Sequence, residues 1–195
     1  MFAVIDSTCT IHEKETLTKQ LQALLGVDAP KPKASIPGFI RLKDLVRKEQ
    51  IKTHRPVKSW NEAVALAARP LLDQGWMTLD YYNEILDLSV RYEQFGVILA
   101  PLCAPHANAD VRNHPCISIV TTKEPVTVSM GSVEMPIRVV MLLCLQTPVS
   151  LSSALDELFR LVDEEPNFIT DLIEATTATK LQHVLEGYCE RMDKR

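Results

Sequence analysis

The chain has 195 residues, 46% of them apolar and 24% charged, with 21 basic and 25 acidic side chains for a formal charge of −4. This is the composition of a folded domain that can bury a sizeable core, and it excludes disordered, collagen-like and coiled-coil classes. No long basic block is present, so no direct nucleic-acid contact is expected. No apolar run approaches the roughly 18 residues of a membrane helix, and MFAVIDSTCTIHEKE lacks the charged flank and apolar stretch of a signal peptide. A cytoplasmic location is therefore expected. The five cysteines, Cys9, Cys103, Cys116, Cys144 and Cys189, are odd in number and sit mostly in apolar context, which fits reduced buried thiols rather than a disulfide framework.

FAVI near the start suggests a short strand, and Leu17, Leu21, Leu24 and Leu25 fall at helical spacing. The stretch VDAPKPKASIPG at 27–38 carries three prolines and reads as an extended linker. Residues 1–37 are thus expected to be a strand–helix segment and linker, too small to fold alone, ahead of a main domain at 38–195. There, Ser59-Trp-Asn-Glu62 has the capping-box pattern, and Trp60, Val64, Ala67, Ala68, Leu71 and Leu72 form one apolar face that should stop at Gly75. Thr78 caps the next helix, with Leu79, Tyr82, Ile85 and Leu86 inward. Residues 97–100 read as a buried strand, and 116–122 and 126–130 alternate as two more. The run 137–145 is continuous enough to be a central strand covered on both faces. Leu151, Leu155, Leu158, Phe159 and Val162 then share a helical face, Pro166 opens a short helix, and Leu181, Val184, Leu185 and Tyr188 mark the last one. The order predicts an α/β (α+β) fold, a mixed β-sheet sandwiched between helices.

ILAPLCAPHANAD at 98–110 places His106 after two prolines at the exit of a strand. A histidine in an apolar setting is most often a satisfied core residue. Held at a loop, its neutral imidazole is a nucleophile near pH 7, and the second ring nitrogen can fix the tautomer by donating to a carbonyl. Trp60-Asn-Glu-Ala63, then Arg69-Pro-Leu-Leu-Asp-Gln-Gly75, residues 81–86, Ala104-Pro-His106, the strand pair at Lys123-Glu-Pro-Val126 and the helix LDELFRLV together resemble the enzyme IIA domains of the bacterial sugar phosphotransferase system, of the fructose, mannitol and ascorbate type. The resemblance covers residues 38–190.

It implies a phosphotransferase/anion transport protein-like fold and a phosphoryl relay. His106 matches the family's Pro-His histidine and would be the catalytic acceptor of a phosphoryl group from a phosphohistidine carrier protein, passing it to a cysteine of enzyme IIB. No cofactor is implied, and the membrane is reached only through a transporter complex. Transfer of this kind rests on positioning and charge stabilisation, so loop groups around Asn108 are expected to hold the phosphate oxygens. Arg112 is the nearest candidate cation, ahead of Arg91 and Lys123.

The sequence also departs from the family. The family motif begins with glycine and often carries arginine after the histidine, where this chain has Pro101-Leu-Cys-Ala-Pro-His-Ala-Asn108, and the family's second histidine matches Leu151. Leucine neither donates nor accepts a hydrogen bond. Ser150 and Ser152 are candidates to bring a hydroxyl to that place, although serines there suit a helix cap. Cys103-x-x-His106 followed by His114-x-Cys116 offers two thiols and two imidazoles, but at no standard zinc spacing, so no metal is expected. His12, His54 and His183 have no partner pattern. The substituted motif, and an N-terminal stretch that resembles the closing strand and helix of an enzyme IIB-like domain, give the alternative: a regulatory IIA-like module of a carbohydrate-responsive transcription regulator, phosphorylated as a sensor or degenerate and non-catalytic.

Overall fold

A five-stranded sheet is built around the apolar run at 137–145, in the computed structural model that describes residues 40–91, 96–130 and 133–194. These belong to the unit Gly38–Arg195; the expected strand, helix and linker of 1–37 lie outside the described residues. The strands are β1 (Val46–Arg55), β2 (Val97–Leu99), β3 (Leu102–Cys103), β4 (Cys116–Met130) and β5 (Val133–Cys144), in the order β1-β4-β5-β3-β2. β4 and β5 pair antiparallel, β1 lies parallel to β4, β3 parallel to β5, and β2 antiparallel to β3. The helices are α1 (Leu42–Leu45), α2 (Trp60–Asp73), α3 (Leu79–Arg91), α4 (Pro148–Glu164), α5 (Phe168–Glu174) and α6 (Ala178–Asp193).

β5 is the middle strand, and its side chains divide between two cores as the two-residue period of a strand requires. Val139, Met141 and Leu143, with Leu145 just past the strand end, join the core under α4, α5 and α6, while Val140, Leu142 and Cys144 join the core under α2 and α3. The predicted mixed sheet covered by helices on both faces is the observed architecture.

Local chemistry fixes the ends of α2. Ser59 Oγ accepts from Glu62 N at 3.2 Å, but the glutamate reaches back to Lys58 N, at 2.7 Å, one residue beyond the N-cap amide of a reciprocal capping box. At the other end Gly75 has φ +66°, with Gly75 N bonded to Leu72 O and Trp76 N to Leu71 O, the two bonds of a Schellman motif. Pro70 lies inside the helix and has no N–H for the carbonyl of Leu66. Lys52 Nζ, from β1, donates to that carbonyl at 2.9 Å, and burial lowers the pKa of its ammonium.

Several sequence expectations are corrected. Residues 97–100 are not a buried strand: β2 is a short edge strand bonded only to β3, and Leu99 is 53% exposed. The two strands expected at 116–122 and 126–130 are one, β4, with a register shift against β5 between Thr121 and Val126, where Lys123, Glu124 and Pro125 are exposed. In α3 Leu79 is exposed and Tyr81 is buried with Ile85, while Tyr82 and Leu86 are half-buried against the core as expected. Phe159 of α4 is exposed, and Ser153, Ala154, Glu157 and Leu161 take the inward face with Leu158. Glu157 is buried there because its carboxylate accepts from Arg41 Nη2 and from Leu42 N, both at 2.8 Å. α5 begins at Phe168, two residues after Pro166. β1 was not anticipated: of VRKEQIKTHR only Val46, Gln50 and Ile51 are buried, with an irregular register against β4 between Val46 and Ile51.

Candidate functional site

β3 runs beside β5 and releases the chain at Cys103 into Ala104-Pro105-His106. The backbone of this exit is pinned on several sides. Leu143 N donates to Pro105 O at 3.1 Å, Ala107 N to Tyr81 Oη at 3.2 Å, and Asp110 N to Leu145 O at 3.1 Å. Ala104 N donates to Gly96 O. Gly96 has φ +80°, and a Cβ there would stand 3.0 Å from Ala104 O and from the backbone of Pro105, so this close approach needs glycine. Further along, His114 N donates to Trp76 O at 2.7 Å and Gln146 Nε2 to Asn113 O at 2.6 Å, tying the loop to the α2–α3 turn and to the end of β5.

His106 is half-buried, and its Nδ1 lies 2.8 Å from Ala104 O. A carbonyl can only accept, so Nδ1 carries the proton and the ring lone pair is on Nε2. Burial lowers the imidazole pKa from its ordinary 6.5, partly offset by the Ala104 carbonyl. The ring is thus neutral near pH 7, in one tautomer, with Nε2 as its nucleophilic atom.

The other candidate residues fall into different settings. Asn108 is exposed, and its Nδ2 donates to Glu84 Oε1 at 2.8 Å. Arg112 bridges two carboxylates, Asp110 at 2.7 Å and Asp80 at 3.1 Å, and the guanidinium holds the Asp110 carboxyl below its usual range. Ser150 is buried in the first turn of α4. Thr147 is the N-cap: its Oγ1 accepts from Ser150 N at 3.1 Å, while Ser150 Oγ accepts from Thr147 N at 3.1 Å. Ser152 is exposed and lines a cavity of about 660 Å³ with Arg41, Val149, Asp156 and Arg160. Leu151 is half-buried and packs against the core under α4. Arg91 lies 3.9 Å from Asp87 at the end of α3, and Lys123 is on the exposed bulge of β4.

His54 is exposed, with Nε2 2.9 Å from Ile173 O. His114 packs its ring on Trp76, the centroids 4.7 Å apart. Among the described residues no group of three or more His, Cys, Asp or Glu side chains is arranged to hold a metal ion, and no helix is long and apolar enough to cross a membrane. Cys103, Cys116, Cys144 and Cys189 are buried and outside any disulfide. Sequence reasoning missed two residues at this end of the sheet, Tyr81 and Thr147. The i, i+4 spacing of Tyr81 with Ile85 was the available signal for the first, and threonine directly before proline for the second.

The fold agrees with what comparison with known proteins shows. Residues 44–188 match the family model described as the phosphoenolpyruvate-dependent sugar phosphotransferase system, EIIA 2, and the chain belongs to that family. The ascorbate-specific EIIA component of Mycoplasma pneumoniae is 27% identical over 139 residues, covering 70% of this chain and 85% of that protein. A phosphotransferase-system IIA domain from Streptococcus pyogenes M1 GAS superposes with a TM-score of 0.67 at 25% identity, over 76% of this chain and 96% of that one. The Escherichia coli mannitol enzyme IIA, solved in complex with phosphorylated enzyme IIB, shares the fold with a TM-score of 0.60 at 18% identity, over 73% of this chain and 97% of that one.

Proposed function

We propose that this enzyme IIA domain is a phosphoryl relay that accepts a phosphoryl group on Nε2 of His106 from a phosphohistidine carrier protein and passes it to a cysteine of an enzyme IIB. The observation that carries the proposal is the bond between His106 Nδ1 and Ala104 O, which presents Nε2 as the lone-pair nitrogen of a neutral ring. In the first step this lone pair attacks phosphorus in line with the carrier's P–N bond. That bond breaks, its electron pair returns to the carrier's imidazole, and an Nε2–P bond forms. In the second step a IIB thiolate attacks phosphorus and the electron pair of the Nε2–P bond returns to His106. Nδ1 keeps its proton throughout, and Ala104 O steadies the positive charge that the phosphorylated ring carries. The mannitol relative's complex with phosphorylated enzyme IIB supports a IIB partner.

Asn108 and Arg112 are the side chains offered to the phosphate oxygens, and both must leave carboxylates to reach them: Asn108 from Glu84, Arg112 from Asp110 and Asp80. Ser150 and Ser152 stand on α4, where Ser150 is already engaged by Thr147. With Leu151 in place of a second imidazole, one preorganised donor is absent, a loss of about 10²–10³-fold in rate. The relay is therefore expected to be slow rather than dead.

The test is incubation with phosphorylated carrier and radiolabelled donor. Acid-labile label on the chain, lost in His106→Ala, is expected. Absence of label, or label unchanged in His106→Ala, overturns the proposal. Label that forms on His106 but passes to no IIB cysteine removes the relay and leaves the regulatory sensor.

A further inference from the structure

We infer that Tyr81 is a positioning residue for His106, holding the peptide that follows the histidine in the orientation that transfer requires. The inference rests on the relay proposed above, and it concerns a residue of α3 that touches no reacting atom.

Tyr81 is 1% exposed, and its hydroxyl sits between the backbone of Ala107 and the carbonyl of Leu143. Oη accepts from Ala107 N at 3.2 Å and lies 2.9 Å from Leu143 O and 3.4 Å from Ala107 O; the single phenolic proton goes to the nearer carbonyl, Leu143 O. Burial raises the phenol pKa, so the group remains a hydroxyl and serves as donor and acceptor together. Leu143 is also the residue whose N–H donates to Pro105 O at 3.1 Å. One residue of the central strand therefore holds both flanks of His106: Pro105 directly through its N–H, and Ala107 through its carbonyl and the Tyr81 hydroxyl. A phenylalanine would fill the same space yet leave the Ala107 N–H and one acceptor without this bridge in a buried place, so the peptide between His106 and Ala107 would turn to find another partner.

Thr78 Oγ1 accepts from Tyr81 N at 3.2 Å and Thr78 N donates to Asn113 Oδ1 at 3.1 Å, so the start of α3 is itself anchored to the loop that it supports. Small misplacement of a nucleophile lowers the rate of transfer with little change in encounter with the carrier.

The test compares the full chain with Tyr81→Phe and, as a control, Tyr188→Phe, whose hydroxyl bonds Asp171 in the other core. Tyr81→Phe is expected to lower the turnover of phosphoryl acceptance by at least about tenfold at unchanged KM for the carrier, while Tyr188→Phe loses stability and keeps its turnover. Equal turnover in Tyr81→Phe and wild type, or an equal loss in both variants, overturns the inference. Two measurements stand apart from the relay itself. The Ala107 amide of the wild-type chain should be protected from hydrogen exchange, and the ring ¹⁵N shifts of His106 should change in Tyr81→Phe; an unprotected amide or unmoved shifts overturn the inference even if no carrier labels the protein.

Discussion

The loop that carries His106 and the first turn of α4 stand at the same end of the central strand, yet they are organised in opposite ways. In the loop, backbone groups are bonded to distant parts of the chain, and the imidazole is left with one defined tautomer. At the start of α4, Thr147 and Ser150 satisfy each other, and the half-buried Leu151 stands where the family resemblance implies a second imidazole. The first arrangement prepares a nucleophile. The second closes a helix. Under the proposed relay, the nucleophile and the side chains offered to the phosphate oxygens, Asn108 and Arg112, all belong to the loop, and the start of α4 adds no second imidazole.

Restoring the missing group should give the largest response. Leu151→His places an imidazole on the first turn of α4 and is expected to raise the rate of phosphoryl transfer from His106 by about 10–10³-fold, measured by single-turnover transfer of label to a IIB cysteine. An unchanged rate would show that the two segments do not act on the same phosphoryl group, and the contrast drawn between them would lose its functional meaning.

How much of this contrast the sequence displays depends on the distance over which each contact acts. The central strand at 137–145 and the Gly75 stop of α2 were legible because an apolar run and a glycine after a helix carry their physical reason locally. His106 was singled out through the proline before it and the family pattern around it. The Tyr81 bridge was not, since its partners lie 26 and 62 residues away in the chain. β1 was hidden for another reason: an edge strand with exposed Arg47, Lys48 and Glu49 and an irregular register shows neither alternation nor an apolar run. Phe159 and Leu79 misled because hydrophobic side chains on a helix need not face the core.

A moderate effect is expected from pH. Burial depresses the His106 pKa below 6.5, so the folded ring stays neutral in a range where an exposed imidazole begins to take a proton. Phosphoryl acceptance should hold level as pH falls through 6.5 and decline only below it, whereas an unshifted imidazole would lose about half its neutral form at that pH. The sign for stability follows from the same shift. Above 6.5 neither the folded nor the unfolded chain protonates this ring; as pH falls below 6.5 the unfolded state binds the proton first, and the fold loses stability until the folded pKa is passed. Titration of the His106 ring by NMR, beside the rate profile, checks both. A midpoint at or above 6.5 would mean that the loop does not tune its nucleophile.

The smallest effect probes whether the two segments are mechanically separate. Thr147→Ala removes the N-cap of α4 and should lower stability by about 1 kcal/mol, a fall in Tm of about 2–4 °C for a domain of this size. Because Ser150 returns a bond to the Thr147 N–H, Ser150→Ala should be nearly as costly, and the double variant should cost less than the sum, the coupling expected of reciprocal partners. Phosphoryl acceptance should not change in any of the three, since the backbone on either side of His106 is bonded to β5, to Gly96 and to Tyr81. One path between the segments exists: Gln146, directly before the cap, donates its side-chain amide to Asn113 O and reaches the far end of the His106 loop. If Thr147→Ala slowed acceptance as well as loosening the helix, strain would be passing along that path, and the nucleophile would depend on the helix that its chemistry does not use.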